Sequence, residues 1–290
     1  MSAAMRSLFH YDEDMTRRTF VPTLLPAAPF VQAQAPARKG RLKQAVTRGC
    51  FGKGMPLEEM ARHAARLGAT GFDLIGEADW PILKKHGLIP TMAPGAGSIR
   101  DGLNRKENHA RFEQQMHENL DKASAAGVPN VITLSGNRAG MPDEEAIDNC
   151  VAFLNKVKAH AEDKGVTICM ELLNSKVNHP DYQCDRTWFG VEVVKRVNSP
   201  RVKLLYDIYH MQIMEGDIIR TIRANFQYLA HFHTAGNPGR HEFDDTQEMN
   251  YRGIAKAIAD LNFQGWIAHE YSPLGDPLRS LEEALRICDV

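Results

Sequence analysis

The chain has no CxxC pair, no fitting glycine-rich phosphate loop, no surplus of either charge and no apolar run long enough to span a membrane. Each absence narrows the field. The five cysteines (Cys50, Cys150, Cys169, Cys184 and Cys288) are scattered and odd in number, which argues against a disulfide scaffold. Lys and Arg number 35 against 36 Asp and Glu, so the net charge of −1 provides no field for a polyanion, and nucleic acid is not expected as a partner. The stretch Gly49-Cys50-Phe51-Gly52-Lys53-Gly54 is glycine-rich but fits neither GxGxxG nor GxxxxGK[ST], which weakens the case for a doubly wound nucleotide-binding sheet. Internal repeats, low-complexity segments and a second domain are also missing.

What is present is ordinary globular material. Hydrophobic residues make up 43% and charged residues 24% of 290 positions, enough for one large core. Residues 1–40 stand apart. Thr16-Arg17-Arg18-Thr19-Phe20-Val21 resembles the twin-arginine export signal, a proline-broken apolar stretch follows, and Val31-Gln32-Ala33-Gln34-Ala35 has the small residues a signal peptidase requires. Export to the periplasm is therefore expected, with a disordered cytoplasmic tail as the alternative. A folded, metal-loaded enzyme would suit that route.

From residue 41 to residue 290 strands and helices alternate. Strands are predicted at Leu42–Thr47, Phe72–Ile75, Leu88–Met92, Val131–Leu134, Val166–Leu172, Val202–Asp207, Tyr228–His233 and Trp266–Glu270. Helices are predicted at Leu57–Leu67, Trp80–His86, Arg105–Ala126, Glu144–Lys164, Thr187–Val197, Ile213–Asn225, Tyr251–Leu261 and Leu278–Cys288. Near-continuous apolar strands separated by helices imply a parallel sheet covered on both faces, and eight such units close into a single-domain (β/α)8 TIM barrel. Loops of more than ten residues follow the fifth and seventh strands, and such loops shape substrate pockets. Cys169, inside a predicted strand, reads as a small hydrophobe.

Four of these strands end in Glu171, Asp207, His233 and Glu270. The C-terminal ends of parallel barrel strands open onto one face, so the four side chains converge. Three carboxylates and an imidazole at one point require a counter-charge, and a divalent cation supplies it. Taken singly, each position has another reading: a lysine ion pair for Glu171, a helix N-cap for Asp207, a satisfied core histidine for His233 and a surface salt bridge for Glu270. Strand alternation places His231 beside His233 and Phe232 opposite. Arg240 can grip a substrate carboxylate with its planar fork, and Lys176 and His179, in the loop after Glu171, are further candidates for the pocket. Trp188 and Phe189 read as core or pocket wall, Met211 and Met214 as packing residues.

Met170-Glu171-Leu172-Leu173-Asn174, Asp207-Ile208-Tyr209-His210, His231-Phe232-His233-Thr234-Ala235-Gly236 with Arg240-His241-Glu242, and His269-Glu270-Tyr271 together resemble the hydroxypyruvate isomerase family of xylose isomerase-like barrels. The resemblance covers about residues 42–290 and is strongest from 166 to 275. It implies Glu171, Asp207, His233 and Glu270 as metal ligands, Glu171 and Glu270 as the acid/base pair, and His210 and Arg240 as substrate contacts. One position departs: hydroxypyruvate isomerases often carry Gln where this chain has His233, whereas the related ketose 3-epimerases carry His.

The chemistry expected is proton transfer next to a carbonyl through an enediolate, which in hydroxypyruvate yields tartronate semialdehyde. Oxygen ligands with one imidazole suit Mn²⁺ or Mg²⁺, with Co²⁺ usable in vitro. The expected partner is a small hydroxy-oxo acid or sugar, with no nucleic acid and no membrane span; a homo-oligomer stays open. A ketose 3-epimerase, a lyase or hydrolase of keto-glycosides, a non-catalytic periplasmic sugar-binding barrel and a phosphate-ester nuclease barrel are the competing readings.

Overall fold

A computed structural model describes residues 39–290; all but the last two residues of the expected leader lie outside them. The strands are β1 (Lys43–Val46), β2 (Gly71–Asp73), β3 (Ile89–Ala96), β4 (Asn130–Thr133), β5 (Thr167–Glu171), β6 (Val202–Asp207), β7 (Leu229–Thr234) and β8 (Trp266–His269). Each pairs in parallel with the next, and β8 pairs with β1 through Lys43–Trp266 to Val46–His269, so the sheet closes into a barrel. The open doubly wound sheet is thereby excluded.

The apolar runs explain the layering. All five residues of β5 are buried, and they alternate. Ile168 and Met170 join the large core against the outer helices, whereas Cys169 joins Met92 and Leu205 in a small separate cluster that fills the barrel interior. Burying one side chain of leucine or methionine size contributes about 1.5–3 kcal/mol, so both layers hold the strands in register.

The outer helices are α1 (Leu57–Leu67), α2 (Trp80–Lys85), α3 (His109–Ala126), α4 (Asp143–Lys164), α5 (Thr187–Val197), α6 (Ile208–Met214), α7 (Ile218–Asn225), α8 (Tyr251–Asp260) and α9 (Pro277–Ile287). In α1 the buried residues Leu57, Met60, Ala61, Ala64 and Leu67 form one stripe at helical spacing. Gly68 stops that helix at φ 85°, where its N–H caps the carbonyls of Ala64 and Ala65. No helix among the described residues is long and apolar enough to cross a membrane.

Most boundaries fall within two residues of the sequence expectation, and three elements differ by more. The third strand runs on to Ala96 because its pairing with β4 continues past Pro94 through a register shift. The helix expected at Ile213–Asn225 is two helices: Asp207 caps α6 at the very end of β6, and Glu215-Gly216 breaks the chain before α7. Lys106–Asn108 winds as a 3-10 turn, so α3 begins only at His109. The five cysteines are buried and free, and the long loops follow β5 and β7 as expected. Phe189 is buried, but Trp188 on the same helix is 54% exposed and borders an outer cleft of about 680 Å³ lined by no residue of the four-ligand cluster.

Candidate active site

The inward alternation that puts Cys169 and Leu205 inside the barrel puts Glu171 and Asp207 inside as well, two residues further toward the C-terminal end. Asp207 lies in register with His233 across β6 and β7. Glu270 follows the last residue of β8. Glu171, Asp207, His233 and Glu270 each offer one ligand atom, and those atoms lie within 4.8 Å of one another. The sequence reading expected this convergence of four distant residues. Asp207 serves its alternative role too, since its Oδ1 accepts the His210 backbone N–H at 3.0 Å. Glu270 likewise carries a salt bridge, accepting from Arg240 at 2.7 Å.

The electrostatics follow from crowding. Burial pushes Glu171 up, opposed by His233 and reinforced by Glu270 and Asp207. Burial also pushes Asp207 up, opposed by Arg240 and reinforced by Glu270. Burial would raise Glu270, but His233 and Arg240 outweigh it and hold that carboxyl at about 2. His233 is held well above the usual imidazole range: burial disfavours its charge, but Glu270, Asp73 and Glu171 favour it more. The cluster as a whole draws positive charge into its centre.

The donor set fits a divalent cation. His233 Nε2 donates to Asp73 Oδ2 at 3.0 Å, so when a cation displaces the second proton of the ring, the lone pair left to bind it is on Nδ1. That Nδ1 lies 3.3 Å from Glu171 Oε1 and 3.0 Å from Glu270 Oε2 yet makes no hydrogen bond. Three carboxylates and an unpartnered imidazole nitrogen are all acceptors, and a cation satisfies them together. Arg240 donates only at the rim, to Glu270, and stays 3.8 Å from Asp207 Oδ2.

Around this centre the other expected residues separate. His210 is fully buried, and Asn174 sets its tautomer. The Asn174 carbonyl accepts the backbone N–H groups of Val177 (3.0 Å) and Asn178 (2.8 Å), so its amide N–H must face His210 Nδ1, at 2.5 Å. The proton of His210 is then on Nε2, which is buried without a hydrogen-bond partner, 3.6 Å from Asp207 Oδ2. Burial, aided by the Arg240 charge, keeps this ring neutral, well below its ordinary range. Arg240 sits at φ 58° with its guanidinium 5.6 Å over the Tyr209 ring. His179 is half-buried with its ring 5.2 Å from that of His210. Lys176 is not brought to the cluster: its ammonium donates to the carbonyls of Ile213 (3.0 Å) and Met214 (3.3 Å) at the end of α6, where the helix leaves acceptors unpaired. A cavity of about 330 Å³ opens beside Glu270 and Arg240, walled in part by Thr47, Arg48, Tyr271 and Ser272.

Asp73 was missed in the sequence. It lies in Gly71-Phe72-Asp73-Leu74-Ile75, a carboxylate in an apolar strand, which is the signal that marked Glu171. Its side chain is buried and accepts from His231, His233 and Thr91. Burial would raise it, but the two histidines hold it well below the carboxylate range.

The model of the xylose isomerase-like TIM barrel family matches residues 62–289. A 2-oxo-tetronate isomerase of Pectobacterium atrosepticum is 30% identical over 237 residues, covering 76% of this chain and 88% of that protein. Hydroxypyruvate isomerase of Escherichia coli is 34% identical over 105 residues, covering 35% of this chain and 40% of that protein. Among solved structures, an AP endonuclease, family 2, from Brucella melitensis superimposes with a TM-score of 0.76 at 25% identity, covering 83% of this chain and 96% of that one.

Proposed function

The chain belongs to the xylose isomerase-like TIM barrel family, and from that premise we propose that it is an isomerase of a small α-hydroxycarbonyl acid, with a divalent cation, Mn²⁺ or Mg²⁺, held by Glu171, Asp207, His233 and Glu270. The observation that carries the reading is the meeting of three carboxylates and an unpartnered imidazole nitrogen from four strand ends. Its relatives named 2-oxo-tetronate isomerase and hydroxypyruvate isomerase support the isomerase class.

A cation held there would polarise the carbonyl and hydroxyl oxygens of the substrate and make the adjacent C–H acidic. The side chains do the rest. Glu171 and Glu270 both reach the ion centre, so one takes the proton from carbon to give the enediolate and a glutamate returns it to the neighbouring carbon, while the hydroxyl proton passes from one substrate oxygen to the other. The free His210 Nε2–H is a neutral donor for a substrate oxygen, aimed there by Asn174. Arg240, at the rim, holds the substrate carboxylate. The cavity of about 330 Å³ suits a small acid.

The test is a panel of hydroxypyruvate, 2-oxo-tetronates and ketoses on Mn²⁺-loaded protein in D₂O, read by NMR. Deuterium incorporation with a shifted carbonyl supports the isomerase, and absence of exchange with every substrate refutes proton abstraction. A ketose 3-epimerase is the second reading, favoured by the imidazole at position 233; inversion of a ketose centre without carbonyl movement would establish it.

A further inference from the structure

We propose that Asp73 is a positioning residue that fixes His233 in the Nε2–H tautomer, so that Nδ1 faces Glu171, Asp207 and Glu270 as a cation ligand. The inference rests on the cation-site reading above and extends it to a residue in no ligand position. Asp73 is the last residue of β2, and its side chain is fully buried with Thr91, His231 and His233. Its Oδ1 accepts from the Thr91 hydroxyl, and its Oδ2 lies 2.6 Å from His231 Nε2 and 3.0 Å from His233 Nε2.

A carboxylate can only accept, so both ring nitrogens must donate, which leaves a lone pair on each neutral ring at Nδ1. For His233 that lone pair is the unpartnered atom facing the carboxylate cluster. His231 packs against His233 edge to face, with ring centroids 5.4 Å apart, and shares the same oxygen, so it fixes the plane of the neighbouring ring. This is the arrangement by which carboxylates orient metal-bound imidazoles elsewhere.

Asp73, His231 and His233 also group as a candidate ion site in their own right. The contacts argue for hydrogen bonds instead. Ligands held about 2.0–2.2 Å from a tetrahedral ion sit about 3.3 Å from one another, well beyond the 2.6 Å between His231 Nε2 and Asp73 Oδ2.

The experiment uses the full chain stripped of metal, with Mn²⁺ as the probe. In Asp73→Asn the amide oxygen keeps the Thr91 hydroxyl, and the amide N–H groups face the two Nε2 atoms. The proton of His233 is then driven to Nδ1, the ligand position. Calorimetric Mn²⁺ affinity should fall roughly 10–100-fold, and ¹⁵N imidazole spectra, taken above the pH at which His233 loses its second proton, should show the ring changing from the Nε2–H to the Nδ1–H tautomer. Unchanged affinity in a folded Asp73→Asn protein overturns the proposal. If that variant does not fold, the wild-type ¹⁵N spectrum of the neutral ring, in the same pH range, decides alone: Nε2–H supports the proposal and Nδ1–H overturns it. A wild-type chain that binds no Mn²⁺ removes the cation site itself, whereas binding that ignores position 73 removes only the role of Asp73.

Discussion

Asp207→Asn separates the two duties of one side chain. The Asp207 carboxylate caps α6 through Oδ1, while Oδ2 faces the ion centre. Asn caps a helix about as well as Asp, so the substitution keeps the cap and removes only the charge. In EDTA the variant should melt at or above the wild-type temperature, because one of the crowded buried carboxylates no longer repels the others. Addition of Mn²⁺ should restore the order. At a hundredfold excess over its dissociation constant, a bound ion stabilises the folded chain by about 2.7 kcal/mol. For a barrel of this size that is a rise of about 5–11 °C in the wild type, at roughly 2–4 °C per kcal/mol. The variant should show only a small part of that rise. Asp207→Ala should in addition lose about 1 kcal/mol for the missing cap, in EDTA and in Mn²⁺ alike. The assay is calorimetric melting of all three proteins in EDTA and in Mn²⁺. An Asp207→Asn protein that gains as much from Mn²⁺ as the wild type would refute the ligand role, and one that melts far below the wild type in EDTA would refute the crowding argument.

Glu270→Gln should cut solvent deuterium exchange by at least about 100-fold, while weakening Mn²⁺ binding less than Asp207→Ala, because Glu270 is partly exposed and Asp207 is buried; normal turnover would remove Glu270 from the acid/base pair. Burial raises the Cys50 thiol to about 11 and the Cys288 thiol to about 12, and raises those of Cys150, Cys169 and Cys184 further, so a disulfide reagent at pH 8 should label none in the native chain and all five after unfolding. Fast native labelling of any one would contradict the packing. Lys176→Ala should leave KM unchanged and lower stability by about 0.5 kcal/mol, checked by steady-state kinetics beside a melting curve; a large rise in KM would return Lys176 to the pocket.

What sequence alone determined about this protein is what depends on short-range periodicity. Alternation at a period of two put His231 and His233 on one side of their strand with Phe232 opposite, and helical spacing placed α1 and α5 to the residue. Because parallel barrel strands all end on one face, Glu171, Asp207, His233 and Glu270 could be read as one constellation before any coordinates. Even the division of α6 from α7 had its signals, an Asp at the end of the strand and a Glu-Gly pair, which the apolar pattern obscured. The tertiary structure decided what depends on direction across long separations. Asp73 meets His233 across 160 residues, and no local pattern couples β2 to β7. Arg240 turns onto Glu270, and Lys176 onto the end of α6. Both belong to loops, whose course has no period from which to extrapolate. The partners of the His210 and His233 ring nitrogens, Asn174 and Asp73, likewise came within hydrogen-bonding distance only through closure of the barrel.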